Sequence, residues 1–128
     1  MEEPAAKCAV TCRVEGGRLV LAIAGELDLA TAKETEQVLH ACRDRYGEHL
    51  VLDLTSLTFV DSSGLSVLAR LLTAAEGRGG SAVIAGPLDV RVARIMRVTH
   101  LDRQVRIHPS LPAALASPLP PLGTSREQ

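Results

Sequence analysis

Between Val51 and Leu72 the chain reads VLDLTSLTFVDSSGLSVLARLL, and no other run restricts the fold as much. Leu50, Leu52 and Leu54 alternate with Val51 and Asp53, so one face of the implied strand is wholly apolar and the other nearly so. Such a strand belongs inside a sheet that has helices on both sides. A tight connection then leads into a helix at Asp61, whose carboxylate suits the N-cap and the positive end of the helix dipole. Leu65, Leu68, Leu71, Leu72 and Ala75 supply the apolar stripe of that helix. Ser62 and Ser63 fall on its first turn, beside amides that lack intrahelical partners and are well placed to receive a phosphate. The same Asp-Ser-Ser-Gly run also suits a plain polar cap with a glycine for close packing, and the residues alone leave both roles open.

The other segments fit around this unit. Cys8 to Val14 and Arg18 to Ala24 form a predicted hairpin, with Glu15-Gly16-Gly17 as its turn. The second strand is apolar on both faces and is expected inside the sheet. The first carries Lys7, Thr11 and Arg13 on one side and suits an edge. A helix is predicted from about Thr31 to Tyr46, capped by Asp28 or Thr31; Thr31 with Glu34 has the form of a capping box. Its expected inward face is Val38, Leu39, Cys42 and Tyr46, with Lys33, Glu34, Glu36, Gln37, Arg43 and Asp44 in water, and Gly47 ends it. Ser81 to Gly86 is a further short strand. Pro87 is expected to open a helix to about Thr99, with Leu88, Val92, Ile95 and Met96 inward and Arg91, Arg94 and Arg97 on a solvated outer strip. A short strand over Gln104 to His108 and a helical turn from Ser110 through Leu115 complete the series. Strands alternating with helices after an opening hairpin give an α/β domain with a mixed sheet of four to five strands and about four helices. The expected domain covers residues 1–116, and the proline-containing segment 117–128 reads as a flexible tail.

Charge and composition exclude several functions. With a formal net charge of -1, no Trp, one Tyr and one Phe, the chain has neither the basic excess nor the stacking platforms of a nucleic-acid binder, and no attraction to anionic membranes is expected. Met-Glu-Glu-Pro at the start is unlike a signal peptide, and no apolar run is long enough to span a bilayer, so a cytoplasmic location is expected. Cys8 and Cys12 share a strand face about 13 Å apart, at roughly 3.3 Å per residue, too far for a disulfide between them. A metal site from Cys8, Cys12, Cys42 and His40 is conceivable, but without CxxC or HxxxH spacing three packed thiols are the better account, and no metal or cofactor is expected. His40, His49 and His108 are scattered and read as solvent-facing.

Gly25-Glu26-Leu27-Asp28, the strand VLDL, the run Phe59-Val60-Asp61-Ser62-Ser63-Gly64-Leu65 and the glycine before Pro87 together resemble the STAS domain, in particular the free-standing anti-sigma factor antagonists. The resemblance spans about residues 8 to 116 in the right order. It implies a non-enzymatic regulator that works by partner switching. The unphosphorylated form would bind an anti-sigma factor that is also a serine kinase and so release a sigma factor; a PPM-type serine phosphatase would reverse the kinase. By the same resemblance Ser62 is the phosphoacceptor, and Asp28, Asp61, Ser63, Gly64 and Leu65 belong to the docking surface. The chain departs from the family's usual pattern at Ser66, often a glycine, and at His100, where Thr-Gly-Leu becomes Thr99-His100-Leu101. His100 is able to take a left-handed cap position at modest cost.

The implied switch has a simple physical basis. A phosphate adds about -1.5 to -2 charges at neutral pH. A partner surface matched to a neutral hydroxyl would then have to dehydrate a dianion, while helix amides shield the domain itself from harm. Three other classes compete. A phosphorylation-independent STAS scaffold or transport accessory module would use the same face without modification. A receiver-like reading of Asp53 lacks the acidic pair after the first strand and the late lysine. A serine hydrolase lacks GxSxG, a marked base and an oxyanion loop.

Overall fold

The computed structural model describes residues 7–119. Along the chain run β1 (Cys8–Glu15), β2 (Arg18–Leu27), α1 (Ala32–Tyr46), β3 (His49–Asp53), β4 (Leu57–Val60), α2 (Ser62–Gly77), β5 (Ser81–Ala85), α3 (Val90–Val98), β6 (Arg106–His108) and α4 (Leu111–Ala116). A single turn of 3-10 helix, Leu101–Arg103, lies between α3 and β6. The sheet has six strands in the order β1-β2-β3-β5-β6, with β4 also on β2. Only the hairpin pair β1–β2 is antiparallel among these pairings; β3, β4, β5 and β6 all join in parallel.

The central strand is as its sequence implies. Leu50 and Leu52 enter the main core with Leu19, Leu21 and Ile23 of β2 and Leu65, Leu68, Leu71 and Leu72 of α2. Val51 faces the other way and packs with Val20, Ala85 and Ala114, where Leu111 and Leu115 of α4 close the second face. Both faces of the central strand are therefore covered, as parallel pairing requires. Arg18, itself buried, donates to the carbonyls of Ala114 and Ser117 and so fixes the last turn of α4 against the sheet with a cation at the favourable end of that helix. Ser117, the first residue of the expected tail, is thus tied to the domain; residues 120–128 lie outside the described residues.

β4 was not expected. The connection between the central strand and α2 contains a short strand, because β2 is ten residues long and outruns β3. Leu19 to Ala22 pair with Leu50 to Asp53, which leaves Gly25 to Leu27 to be paired by Leu57 to Val60 after a register shift. Leu57 and Val60 are buried while Thr58 and Phe59 point out, so the segment shows no two-residue alternation for a reader to find.

The inward face of α1 is also corrected. Leu39 is fully buried, but the other buried positions are Thr35 and Arg43; Val38 and Tyr46 are exposed. Arg43, expected in water, lies beneath Glu48, whose two carboxylate oxygens each accept from it at 3.1 Å, and Arg78 pairs with the same glutamate at 3.2 Å. The pairing allows a guanidinium to replace the aromatic ring at this position. Glu36 accepts from Arg70 of α2 at 2.7 and 2.8 Å, and the guanidinium holds that carboxyl below its ordinary range. α3 starts three residues later than Pro87 implies, with Asp89 as its cap, because Oδ1 of Asp89 accepts from the Arg91 amide at 2.8 Å. Its inward set holds in part: Val92 and Met96 are buried, and Leu88 and Ile95 pack against the core's edge. His100 adopts the left-handed conformation at φ 64°. His40, His49 and His108 are half-buried instead of solvent-facing, His40 lying beside Glu36 and Arg43 and His49 bonded to Ser81.

Candidate functional site: the mouth of helix α2

Two segments distant in sequence meet at the start of α2, and one carboxylate joins them. Asp61 is extended at φ -110° and ψ -170°, and its Oδ1 accepts from the Gly64 amide at 3.0 Å. Its Oδ2 reaches the loop after β2 and accepts from the Leu29 amide at 3.1 Å. The Asp61 amide in turn donates to the Leu27 carbonyl at 3.3 Å. Asp61→Ala should remove the cap and the bridge together and cost about 1–2 kcal/mol, read as a lowered urea midpoint with an unchanged slope.

Gly64 allows this approach. A Cβ at that position would lie 2.2 Å from the Leu27 carbonyl oxygen, 2.7 Å from Val60 Cγ2 and 2.9 Å from Leu27 Cγ. Backbone meets backbone here, and only hydrogen fits.

The loop is rigid by its own bonding. Asp28 Oδ1 accepts from the amides of Ala30 and Thr31 at 3.0 and 3.2 Å. Thr31 Oγ1 accepts from the Asp28 amide at 3.0 Å and donates to the Glu26 carbonyl at 2.9 Å. Thr31 holds the N-cap position of α1 but makes no side-chain cap bond, so the capping box with Glu34 does not form; the amides that the Asp28 carboxylate binds both precede the helix, and with the Thr31 hydroxyl it braces the loop.

The sequence-expected residues gather at this place in different ways. Ser62 is the first residue of α2 and is exposed; Ser63 is half-buried. Asp28 and Asp61 sit on the two adjoining segments, both half-buried and both occupied with backbone amides. Gly64 is buried, and Leu65 is only 8% exposed, so these two support the surface from beneath more than they present it. Ser66, which the sequence gives no role, donates from Oγ to the Ser62 carbonyl at 3.0 Å.

Two apolar residues at or near this face escaped sequence reasoning. Leu29, on the loop that Asp61 holds, is 78% exposed, and Phe59, beside Val60, is 37% exposed. Leu29 had a weak signal, a large apolar residue next to Asp28 in the connection between β2 and α1; Phe59 needed β4. Beside Ser62 lies an open groove of about 300 Å³ lined by Ser62, Leu65, Ser66, Ala69, Thr99, Leu101 and Gln104. An exposed hydroxyl, two carboxylates, an exposed leucine and a shallow apolar groove suit protein docking. Among the described residues no group of three His, Cys, Asp or Glu side chains is arranged to hold a metal ion, and no helix is long and apolar enough to cross a membrane.

Known proteins share this architecture. The chain is 31% identical over 85 residues to the anti-sigma-B factor antagonist of Listeria monocytogenes, a match that spans 66% of this chain and 74% of that protein. A crystal structure of an anti-sigma factor antagonist from Mycobacterium paratuberculosis superposes with a TM-score of 0.72 at 27% identity, over 84% of this chain and 91% of that one. The Bacillus cell fate determinant SpoIIAA in its phosphorylated form shares the fold, with a TM-score of 0.62 at 16% identity over 83% of this chain and 96% of its own. Residues 9–114 match the STAS domain model, which takes in every element from β1 into α4, and the chain therefore belongs to the STAS domain family.

Proposed function

We propose that this chain is a cytoplasmic, non-enzymatic anti-sigma factor antagonist whose docking face is switched by phosphorylation of Ser62. In its unmodified form it binds an anti-sigma factor with serine kinase activity and so frees a sigma factor. The kinase then modifies Ser62, and a PPM-type serine phosphatase restores the hydroxyl. Asp28, Asp61, Ser63, Gly64 and Leu65 form or support the binding surface. Residues 1–116 act as the single domain that carries it.

The observation that carries this reading is the exposure of Ser62 at the first turn of α2, next to a loop that Asp61 and Gly64 hold in register. A kinase reaches such a hydroxyl without unfolding anything, and the helix terminus accommodates the added charge. The names carried by the relatives support the partner class.

The test uses the full chain with candidate anti-sigma kinases and ATP, followed by peptide mass spectrometry. Phosphate is expected on Ser62. Ser62→Ala should fold, bind the same partner with affinity within about threefold of the parent, since a surface hydroxyl contributes little when truncated, and take up no phosphate. Phosphate on Ser63 instead, or loss of binding in Ser62→Ala, overturns the assignment of the acceptor. Binding with no modification by any partner kinase overturns the switch and favours a phosphorylation-independent scaffold.

A further inference from the structure

Away from the docking face, Cys12 and Cys42 meet between the sheet edge and α1. Cys12 lies on the side of β1 that packs against the core, alternating with exposed Thr11 and Arg13, and Cys42 lies on the facing side of α1. Their sulfurs are 2.8 Å apart, although both thiols are free. An S–S bond spans about 2.05 Å, so closing it needs less than an ångström of approach. Ordinary packing of two small apolar side chains does not require contact as close as this. The third cysteine, Cys8, lies four residues earlier on β1.

We propose that Cys12 and Cys42 are a reversible redox pair, closed to an intramolecular disulfide by low-molecular-weight disulfides and thereby fastening edge strand β1 to α1. Both residues are half-buried, which leaves a small reagent partial access. Cys42 donates its hydrogen towards Cys12 Sγ, and burial together with the Cys12 neighbour pushes its thiol up to about 11. Cys12, whose sulfur accepts that hydrogen, takes the first step after giving its own proton to solvent. Its thiolate attacks one sulfur of the small disulfide and expels one thiolate, which is protonated by water. Cys42 then gives its proton to solvent and attacks the Cys12 sulfur, expelling the second small thiolate. Two protein thiols are oxidised and one disulfide is reduced to two thiols.

The ring so closed joins residues thirty positions apart and contains β2, the Asp28 loop and the first turns of α1. A cross-link of this span narrows the unfolded ensemble far more than it constrains the native one. Among the described residues β1 is an edge strand, paired only with β2, and gains most from a second tether.

The full-length chain treated with glutathione disulfide, then alkylated, provides the test. Titratable thiols should fall from three to one, with the chain still monomeric on a non-reducing gel and a Cys12–Cys42 linked peptide in the digest. Dithiothreitol should restore all three thiols, and the oxidised chain should melt above the reduced one. Cys8→Ser should behave as the parent, whereas Cys12→Ser and Cys42→Ser should each abolish the linked peptide. Three thiols remaining after treatment, a bridge that includes Cys8, intermolecular dimers, or a glutathione adduct on Cys12 that never closes would each overturn the proposal.

Discussion

Gly64→Ala is expected to lower the melting temperature by roughly 5–8 °C, corresponding to about 2 kcal/mol in a domain of this size. On helix propensity alone the change should help, since alanine is favoured over glycine by up to about 1 kcal/mol inside a helix. The tertiary contact decides the sign. A methyl group 2.2 Å from the Leu27 carbonyl oxygen cannot be accommodated by a side-chain rotation, because the obstacle is backbone. Either α2 or the loop after β2 must move, and the bridge from Asp61 to the Leu29 amide is strained in both cases. Gly77→Ala is the matched control: it lies in the same helix, and nothing stands within 4 Å of its would-be Cβ. That variant should be as stable as the parent or more so. Differential scanning calorimetry on the pair separates propensity from packing, and equal melting points for Gly64→Ala and the parent would show that the close approach is unimportant.

Ser62→Asp should weaken binding to the anti-sigma partner about a hundredfold while the melting temperature stays within about 2 °C of the parent. The two readouts together are what distinguish a switch from a structural residue. Ser62 is exposed, and its side chain makes no hydrogen bond that orders the described fold, so a charge there is solvated in the free domain and stabilised by the helix terminus. In the complex the same charge must shed water against a surface matched to a hydroxyl. Isothermal titration calorimetry measures the loss, and a melt of the free variant checks the fold. A large drop in melting temperature would assign Ser62 a structural role, and unchanged affinity would remove it from the interface.

Much of the architecture was evident from local pattern. The hairpin turn at Gly16-Gly17, the Asp61 cap, the leucine stripe of α2 and the Ser110 cap of α4 each rest on short-range rules and occur as expected. The left-handed His100 is another such case. Where the expectations failed, a distant residue outweighed a local preference. Thr31 keeps the N-cap position of α1 but its hydroxyl makes no cap bond, because the Glu26 carbonyl lies within its reach. Tyr46 lost its inward place to Arg43 because Glu48 lies beyond the helix to neutralise a buried guanidinium.

Of the candidate site, Asp28, Asp61, Ser62, Ser63, Gly64 and Leu65 were named from the sequence, and they do lie on adjoining segments. Leu65 was legible as part of the buried stripe and Ser62 as a first-turn hydroxyl; the bridge from Asp61 to the Leu29 amide was not, because it depends on β4 standing beside the end of β2.

Sequence by itself determined the elements whose stability is local or periodic: a two-faced central strand, an amphipathic helix behind an aspartate, and the turns that separate them. Tertiary structure alone decided that β2 is long enough to accept a second parallel partner, so that Leu57 to Val60 become a strand and carry Asp61 to within hydrogen-bonding distance of the Leu29 amide. The reason is that a four-residue segment with two buried and two exposed side chains has no intrinsic preference strong enough to form alone. It becomes a strand because the unpaired amides and carbonyls of Gly25 to Leu27 would otherwise be left without partners beside the core.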